Sequence, residues 1–307
     1  MDKSTSPLSE RTTGTVQTAP NVRIHYETYN QHSTNPSQPS LIFHHYYGGS
    51  PATFYQVLQS NPSLVSRHVV LYHARGWWPS TGPEEEVRGD GENGKKAYGI
   101  KELSADLATV IKATGLSDPE KCKAGYVIVG HSMGGKIAQY YAATAAISSS
   151  KSGNGGLRGL ILVAPAPLRG IELPPEAKAQ QKVAYQSDEG VVFVLDNVLT
   201  AKPGTLSPDV MRRCIADSRC GNPAATVAWP TYGAAEDYVA LKKQISVPVL
   251  VLRGDRDFER EIVGELGVGK GWINKVVEGC GHLIPLEKPA RLGEEIEAFL
   301  EGLDNSI

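Results

Sequence analysis

Residues 127–143, VIVGHSMGGKIAQYYAA, constrain the fold more than any other stretch of the chain. The β-branched run Val127-Ile128-Val129 passes into Gly130-His131-Ser132-Met133-Gly134-Gly135, and an alanine- and tyrosine-rich segment with helical spacing follows. A strand that turns into a helix within a few residues needs glycines, which let the backbone through a crowded turn while Ser132 is pushed outward. Two readings fit the pattern: an activated nucleophile, or a serine in an ordinary strand-to-helix turn. The stretch alone does not decide between them.

The rest of the chain supplies the context. Short apolar runs bounded by turn residues lie at 22–29, 40–46, 68–74, 125–130, 157–165, 247–254 and 273–279. Helical patterns separate several of them, clearest at 100–115, where Leu103, Leu107, Val110 and Ile111 form one face before Gly115. Strands alternating with helices predict an α/β fold with a mostly parallel central sheet flanked by helices. Polar connections at 30–39, 82–96 and 148–156 read as loops, and the acidic run in the second carries no evident chemistry. Residues 168–243 break the rhythm with helical stretches near 174–185, 188–200 and 207–218, the last with Ser207 at its N-cap and Pro208 at the first helical position. The expected organisation is a flexible tail over 1–18, a core from 19–167 and 244–307, and an inserted helical cap over 168–243.

Composition excludes several classes. With 307 residues, 40% of them hydrophobic, the chain can bury a substantial core as one body with an insertion. A net charge of -2 with no basic tract argues against nucleic acid as a partner. The start lacks the apolar segment of a signal peptide, and no run of about 18 apolar residues follows, so a soluble, cytoplasmic protein without a membrane partner is expected. Cys122, Cys214, Cys220 and Cys280 are too scattered for a disulfide framework or a zinc site. Cys214 and Cys220 lie about 240° apart on one continuous helix and aim at different faces. His44 and His45 are neighbours at a strand end, so they are expected on opposite sides, with only one facing any site.

In a parallel sheet, reactive groups gather at the carboxyl ends of strands. Gly254 ends one strand and is followed by Asp255 and Asp257, and His282 follows another in a glycine-flanked loop before a helix over 289–303. The order Ser132, Asp257, His282 matches one of three unrelated architectures that build a serine triad. A serine hydroxyl is a poor nucleophile near neutrality, so His282 would take its proton and an aspartate would hold the imidazole in the right tautomer.

Five separated motifs carry a resemblance: HYYGGS (45–50), ARGWWPST (74–81), GHSMGG (130–135), GDRD (254–257) and GCGHLIPLEKP (279–289). In this order they resemble the α/β-hydrolase family over about 22–301, and TVAWPTYGAAEDY (226–238) resembles the small helical cap of its esterase and cofactor-free haloperoxidase-like branch. The resemblance implies a catalytic triad of Ser132, Asp257 and His282. Asp257 is preferred because relatives carry the acid three residues after the strand-ending glycine, which leaves Asp255 to cap the loop. It also implies an oxyanion hole from the Met133 amide and from the loop at Tyr47, where Tyr46 replaces the usual glycine. The donor there is the Tyr47 amide or a tyrosine phenol.

Candidate substrate-binding residues are Tyr46, His131, Trp78, Phe193 and Trp229, each also readable as packing. Val191, Val192, Val194, Val198 and Leu199 read equally as cavity lining or as the cap's own core. Arg75 is expected to anchor loops, His73 to be a hydrogen-bonded framework group, and Cys280 to be an inert neighbour of His282. The implied activity is cofactor-independent hydrolysis of a small carboxylic ester or lactone with apolar groups, through an acyl-enzyme. The rivals are perhydrolysis or carbon–carbon bond cleavage at the same triad, and a slow-turnover ligand-binding protein.

Overall fold

A computed structural model describes residues 11–31, 37–84, 96–148, 156–258 and 272–304. Eight strands form one sheet in the order β1-β2-β4-β3-β5-β6-β7-β8. They are β1 (Thr12–Ala19), β2 (Val22–Tyr29), β3 (Ser40–His44), β4 (Val69–Tyr72), β5 (Tyr126–His131), β6 (Leu157–Val163), β7 (Val249–Gly254) and β8 (Trp272–Val277). The pairs β1–β2 and β2–β4 are antiparallel, and every other pair is parallel. The central strands are buried on both faces, as a sheet covered by helices requires.

The two-residue period of the strands sorts their side chains into two cores. Ile42, Val70, Ile128 and Leu160 face one way, against Leu103, Leu107 and Val110 of α2 (Ile100–Ala113) and Ile137 of α3 (Met133–Ser148). Leu41, Val69, Val127 and Ile161 face the other way, against Val57 and Leu58 of α1 (Tyr55–Ser60) and Leu292 and Ile296 of the C-terminal helix Pro289–Asp304. The face of α2 is the one its sequence spacing predicts.

The helices between β6 and β7 are α4 (Pro175–Ala184), α5 (Asp188–Val194), α6 (Pro208–Arg219) and α7 (Pro223–Ala228). Ser207 caps α6 by accepting from Val210 N, with Pro208 at the first position. Two π-helical turns, Leu195–Leu199 and Trp229–Gly233, extend α5 and α7, a feature that residue spacing does not reveal.

Two expectations are corrected and a third is refined. Residues 12–18 are not tail. They belong to β1, which pairs with β2 from Thr12↔Thr28 to Ala19↔Val22 across a turn where Asn21 takes φ 61°. As an edge strand, β1 is half exposed and needs few apolar residues, so composition hides it. His44 and His45 do not take opposite sides. The strand ends at His44, the pleat stops with it, and the two buried rings stack at 5.5 Å. His73 is hydrogen-bonded into the framework through its backbone, N to His25 O at 3.0 Å and O from Ser80 Oγ at 2.8 Å, and not through its ring Nδ1, which is buried without a partner; burial pushes the imidazole down to about 3. Of the loops, 82–96 and 148–156 lie largely, and 30–39 by half, outside the described residues.

Arg75 is the anchor its position implies. Its guanidinium grips Asp106 of α2 through Nε at 2.6 Å and a second nitrogen at 2.7 Å, and also donates to the carbonyls of Ala97 and Glu102. Both partners are buried. Arg75→Met would strand the Asp106 carboxylate away from water, so a loss of about 3–5 kcal/mol is expected by urea unfolding. A loss below about 1 kcal/mol would show the pair to be energetically idle.

Candidate active site

Ser132 sits between the end of β5 and the first turn of α3 with φ 55°, in the left-handed region that a non-glycine residue enters at a cost. The turn is held from outside: Ser132 N donates to Val163 O at 3.0 Å, while Ser132 O accepts from Gly135 N and Ala166 N. Helix α3 starts so close to β3 that a Cβ on Gly134 would lie 2.4 Å from the His44 carbonyl oxygen, which is why glycine stands there. Local sequence thus enforces an outward-facing serine at a sheet end.

Asp257 follows β7 and His282 follows β8, and both are buried. His282 Nδ1 lies 3.1 Å from Asp257 Oδ1 and 3.2 Å from Oδ2. Asp255 points elsewhere, and its Oδ1 accepts from Cys280 N at 3.1 Å, bracing the loop that carries His282. Cys280 itself is fully buried, and burial pushes its thiol up, beyond the reach of ordinary thiolate chemistry. The imidazole of His131 is buried beneath His282: its Nε2 donates to the His282 carbonyl at 2.9 Å, and burial together with the His282 ring pushes it down to about 3. His131 therefore carries its proton on Nε2 and stays neutral at physiological pH.

The loop from β6 to β7 reaches this corner. His282 N donates to Leu199 O at 2.7 Å, and Glu287 accepts from Gly281 N at 3.0 Å and from Ala201 N at 2.8 Å. One carboxylate thus ties the histidine loop to the chain just after the π-helical turn Leu195–Leu199.

Ser132 and His282 line a common cavity of about 410 Å³ with Tyr46, Tyr47 and Trp229. Among the described residues its lining contains no Asp, Glu, Lys or Arg. Val194, Val198 and Leu199 face it, whereas Val191 packs inside the insertion, so one helix serves both readings of that segment. Three candidate substrate contacts fall elsewhere. His131 is sealed beneath His282. Trp78 is 69% exposed although its neighbours Trp77 and Ser80 are buried, and its N donates to Cys220 O at 3.2 Å, away from the cavity. Phe193 is 47% exposed on the far face of α5, in a surface groove with Val183.

Sequence reasoning placed a helix near 174–185 but did not assign it to the cavity, which Ala177, Gln181, Ala184 and the following Tyr185 line, and it missed Phe258. The signal for α4 was present as a recurrence every three to four residues, weakened by its small and polar residue types. Among the described residues no group of three His, Cys, Asp or Glu is arranged to hold a metal ion, and no helix is long and apolar enough to cross a membrane.

Residues 41–295 match the family model described as the alpha/beta hydrolase family. The chain belongs to that family. Among solved structures, this hydrolase is similar to a bromoperoxidase from Bacillus anthracis, at 17% identity and TM-score 0.73, covering 94% of this chain and 100% of the other. It is similar to an esterase from Exiguobacterium antarcticum at 17% identity and TM-score 0.70, covering 94% and 98%. An esterase from Rhodococcus sp. aligns at 19% identity and TM-score 0.71, covering 95% and 99%. Such identities establish the shared fold and leave the reaction to the site. No sequence among curated proteins matches the chain.

Proposed function

We propose that this hydrolase cleaves an uncharged carboxylic ester or lactone through an acyl-enzyme on Ser132, with His282 as the proton carrier and Asp257 as its orienting partner. The observation that carries the reading is the His282–Asp257 contact beside the strained Ser132 in one uncharged cavity. A carboxylate only accepts, so the contact favours a proton on His282 Nδ1 and leaves Nε2 as the basic atom of the neutral ring. Ser132 Oγ attacks the carbonyl carbon as its proton passes to Nε2. The resulting oxyanion accepts from backbone amides, for which Met133 and Tyr47 are the proposed donors. Collapse returns the proton from Nε2 to the leaving alcohol. Water then repeats the cycle on the acyl-enzyme, so the reaction balances with water as the only co-substrate.

The tyrosine hydroxyls are engaged or buried elsewhere. Tyr47 donates its hydroxyl to the Thr226 carbonyl, and the Tyr46 side chain is buried with its phenol near Cys214, which supports the amide rather than a phenol as the donor. The apolar lining supports an uncharged acyl or alcohol part, since a carboxylate bound there would lose its water without gaining a cation from the described lining residues.

The test joins a fluorophosphonate probe with p-nitrophenyl ester turnover. One equivalent of probe on Ser132, together with turnover that the probe abolishes, is expected. Labelling of another residue, or an Ser132 that labels in an enzyme hydrolysing none of a short- to medium-chain ester series, would overturn the proposed function.

A further inference from the structure

The outer half of the loop proposed to supply the second oxyanion donor is held by the helices between β6 and β7. Three successive carbonyls of this loop each meet a donor. Tyr46 O accepts from Gly49 N at 2.9 Å and from His45 Nδ1 at 2.7 Å. Tyr47 O accepts from the hydroxyl of Tyr185 at 2.9 Å, and Gly48 O accepts from the hydroxyl of Ser218 at 2.8 Å. Tyr185 follows α4 and Ser218 lies on α6, both between β6 and β7. Both side chains are buried.

We propose that Tyr185 is a positioning residue for the oxyanion hole, acting through its hydrogen bond to the Tyr47 carbonyl, with Ser218 supporting the next peptide. In a trans peptide the N–H points opposite to the C=O, so a fixed Tyr46 carbonyl sets the direction of the Tyr47 amide. That direction still depends on the backbone angles of residue 47, which the held Tyr47 carbonyl restrains from the other side. The loop needs such support. Gly48 takes φ +86°, and the Tyr185 ring packs within 2.6 Å of where a Cβ would stand, so the strained turn and the tyrosine are fitted to each other. The Tyr47 and Tyr185 rings meet at 4.8 Å, which completes the clasp. His45 completes the inner half: Ala74 N donates to its Nε2 at 3.0 Å, which leaves the ring proton on Nδ1 to hold Tyr46 O.

The inference rests on the acyl-enzyme reading, and the experiment separates the two. Tyr185→Phe keeps the ring that lines the cavity and removes only the hydroxyl. Acylation is expected to slow about three- to tenfold, the size of one neutral hydrogen bond, with KM unchanged. Affinity for a boronic acid, whose tetrahedral adduct needs the hole, is expected to fall by the same factor, while affinity for the neutral product alcohol stays at the wild-type value. Ser218→Ala, which removes a group outside the cavity lining, is expected to shift the rate and the boronic acid affinity in the same direction, and it serves if Tyr185→Phe fails to fold.

Wild-type rate and analogue affinity in the folded variants would overturn the proposal. A loss confined to KM would also overturn it, because Tyr185 would then be only cavity wall. A wild-type protein without ester turnover or Ser132 labelling would instead sink the reading on which the proposal rests.

Discussion

Replacing Ser132 with alanine is expected to lower ester turnover by about 10⁴- to 10⁶-fold while leaving the unfolding midpoint close to wild type. His282→Ala is expected to match it, because nucleophile and base act as a unit and losing either abolishes the same step. The two aspartates give the sharper test. Asp257→Asn would present an amide to His282 Nδ1 and select the wrong tautomer, with an expected loss of about 10⁴-fold. Asp255 braces the same loop only through Cys280 N at 3.1 Å, so Asp255→Asn is expected to cost about tenfold or less, accompanied by a small loss of stability. Steady-state kinetics on all four variants, with unfolding curves beside them, check the set. A mild Asp257→Asn beside a crippling Asp255→Asn would reverse the assignment of the acid.

Acid is expected to begin destabilising this protein below pH 6.5, above the usual carboxylate range. His45 is pushed down to about 4, and His73 and His131 to about 3, in each case chiefly because burial disfavours the charged ring. The unfolded chain binds protons at these histidines as pH falls below 6.5, whereas the folded chain refuses them until about 4 to 3. Folding stability is therefore complete above pH 6.5 and falls progressively between pH 6.5 and 3. Each group contributes up to about 1.4 kcal/mol per pH unit inside its window, or about 4 kcal/mol per unit for the three together. Glu287 and Asp217, whose carboxyls burial pushes up, act with the opposite sign and offset part of the loss. Against a total of about 5–15 kcal/mol, unfolding is expected between pH 5 and 4. Urea midpoints at pH 7, 6 and 5 measure it, and His73→Phe is expected to reduce the proton uptake by about one. A midpoint that stays flat from pH 7 to 5 would contradict the neutral-histidine account.

Much of this was legible because it is local. The elbow needs only a strand, glycines and a helix in succession, so 127–143 singles out Ser132 as a candidate nucleophile and leaves the ordinary turn open until the later motifs are taken with it. The β-branched runs carried the sheet, and the amphipathic spacing of 100–115 carried α2. Arg75 could be read as an anchor from its position after a strand, though its partner Asp106 could not, because thirty-one residues separate them. Edge strand β1 was missed for the opposite reason: half of it faces water, so its Thr-rich composition resembles a tail.

The sequence by itself determined the alternation of strands and helices, the strained serine, and the order in which serine, aspartate and histidine leave the sheet. These follow from short-range periodicity and backbone sterics, which act between near neighbours in the chain. Only the tertiary structure decided which side chains meet. It brought Asp257, the acid the resemblance preferred, against His282, sealed His131 below it, turned Trp78 and Phe193 outward, and brought Tyr185 and Ser218 onto the carbonyls of a loop more than 130 residues away in the chain. The physical reason is the packing of the insertion on the sheet end. Which face of α4, α5 or α6 meets the loops after β3 and β8 depends on crossing angles and on the π-helical turns, and neither is encoded in the spacing of residues along a single helix.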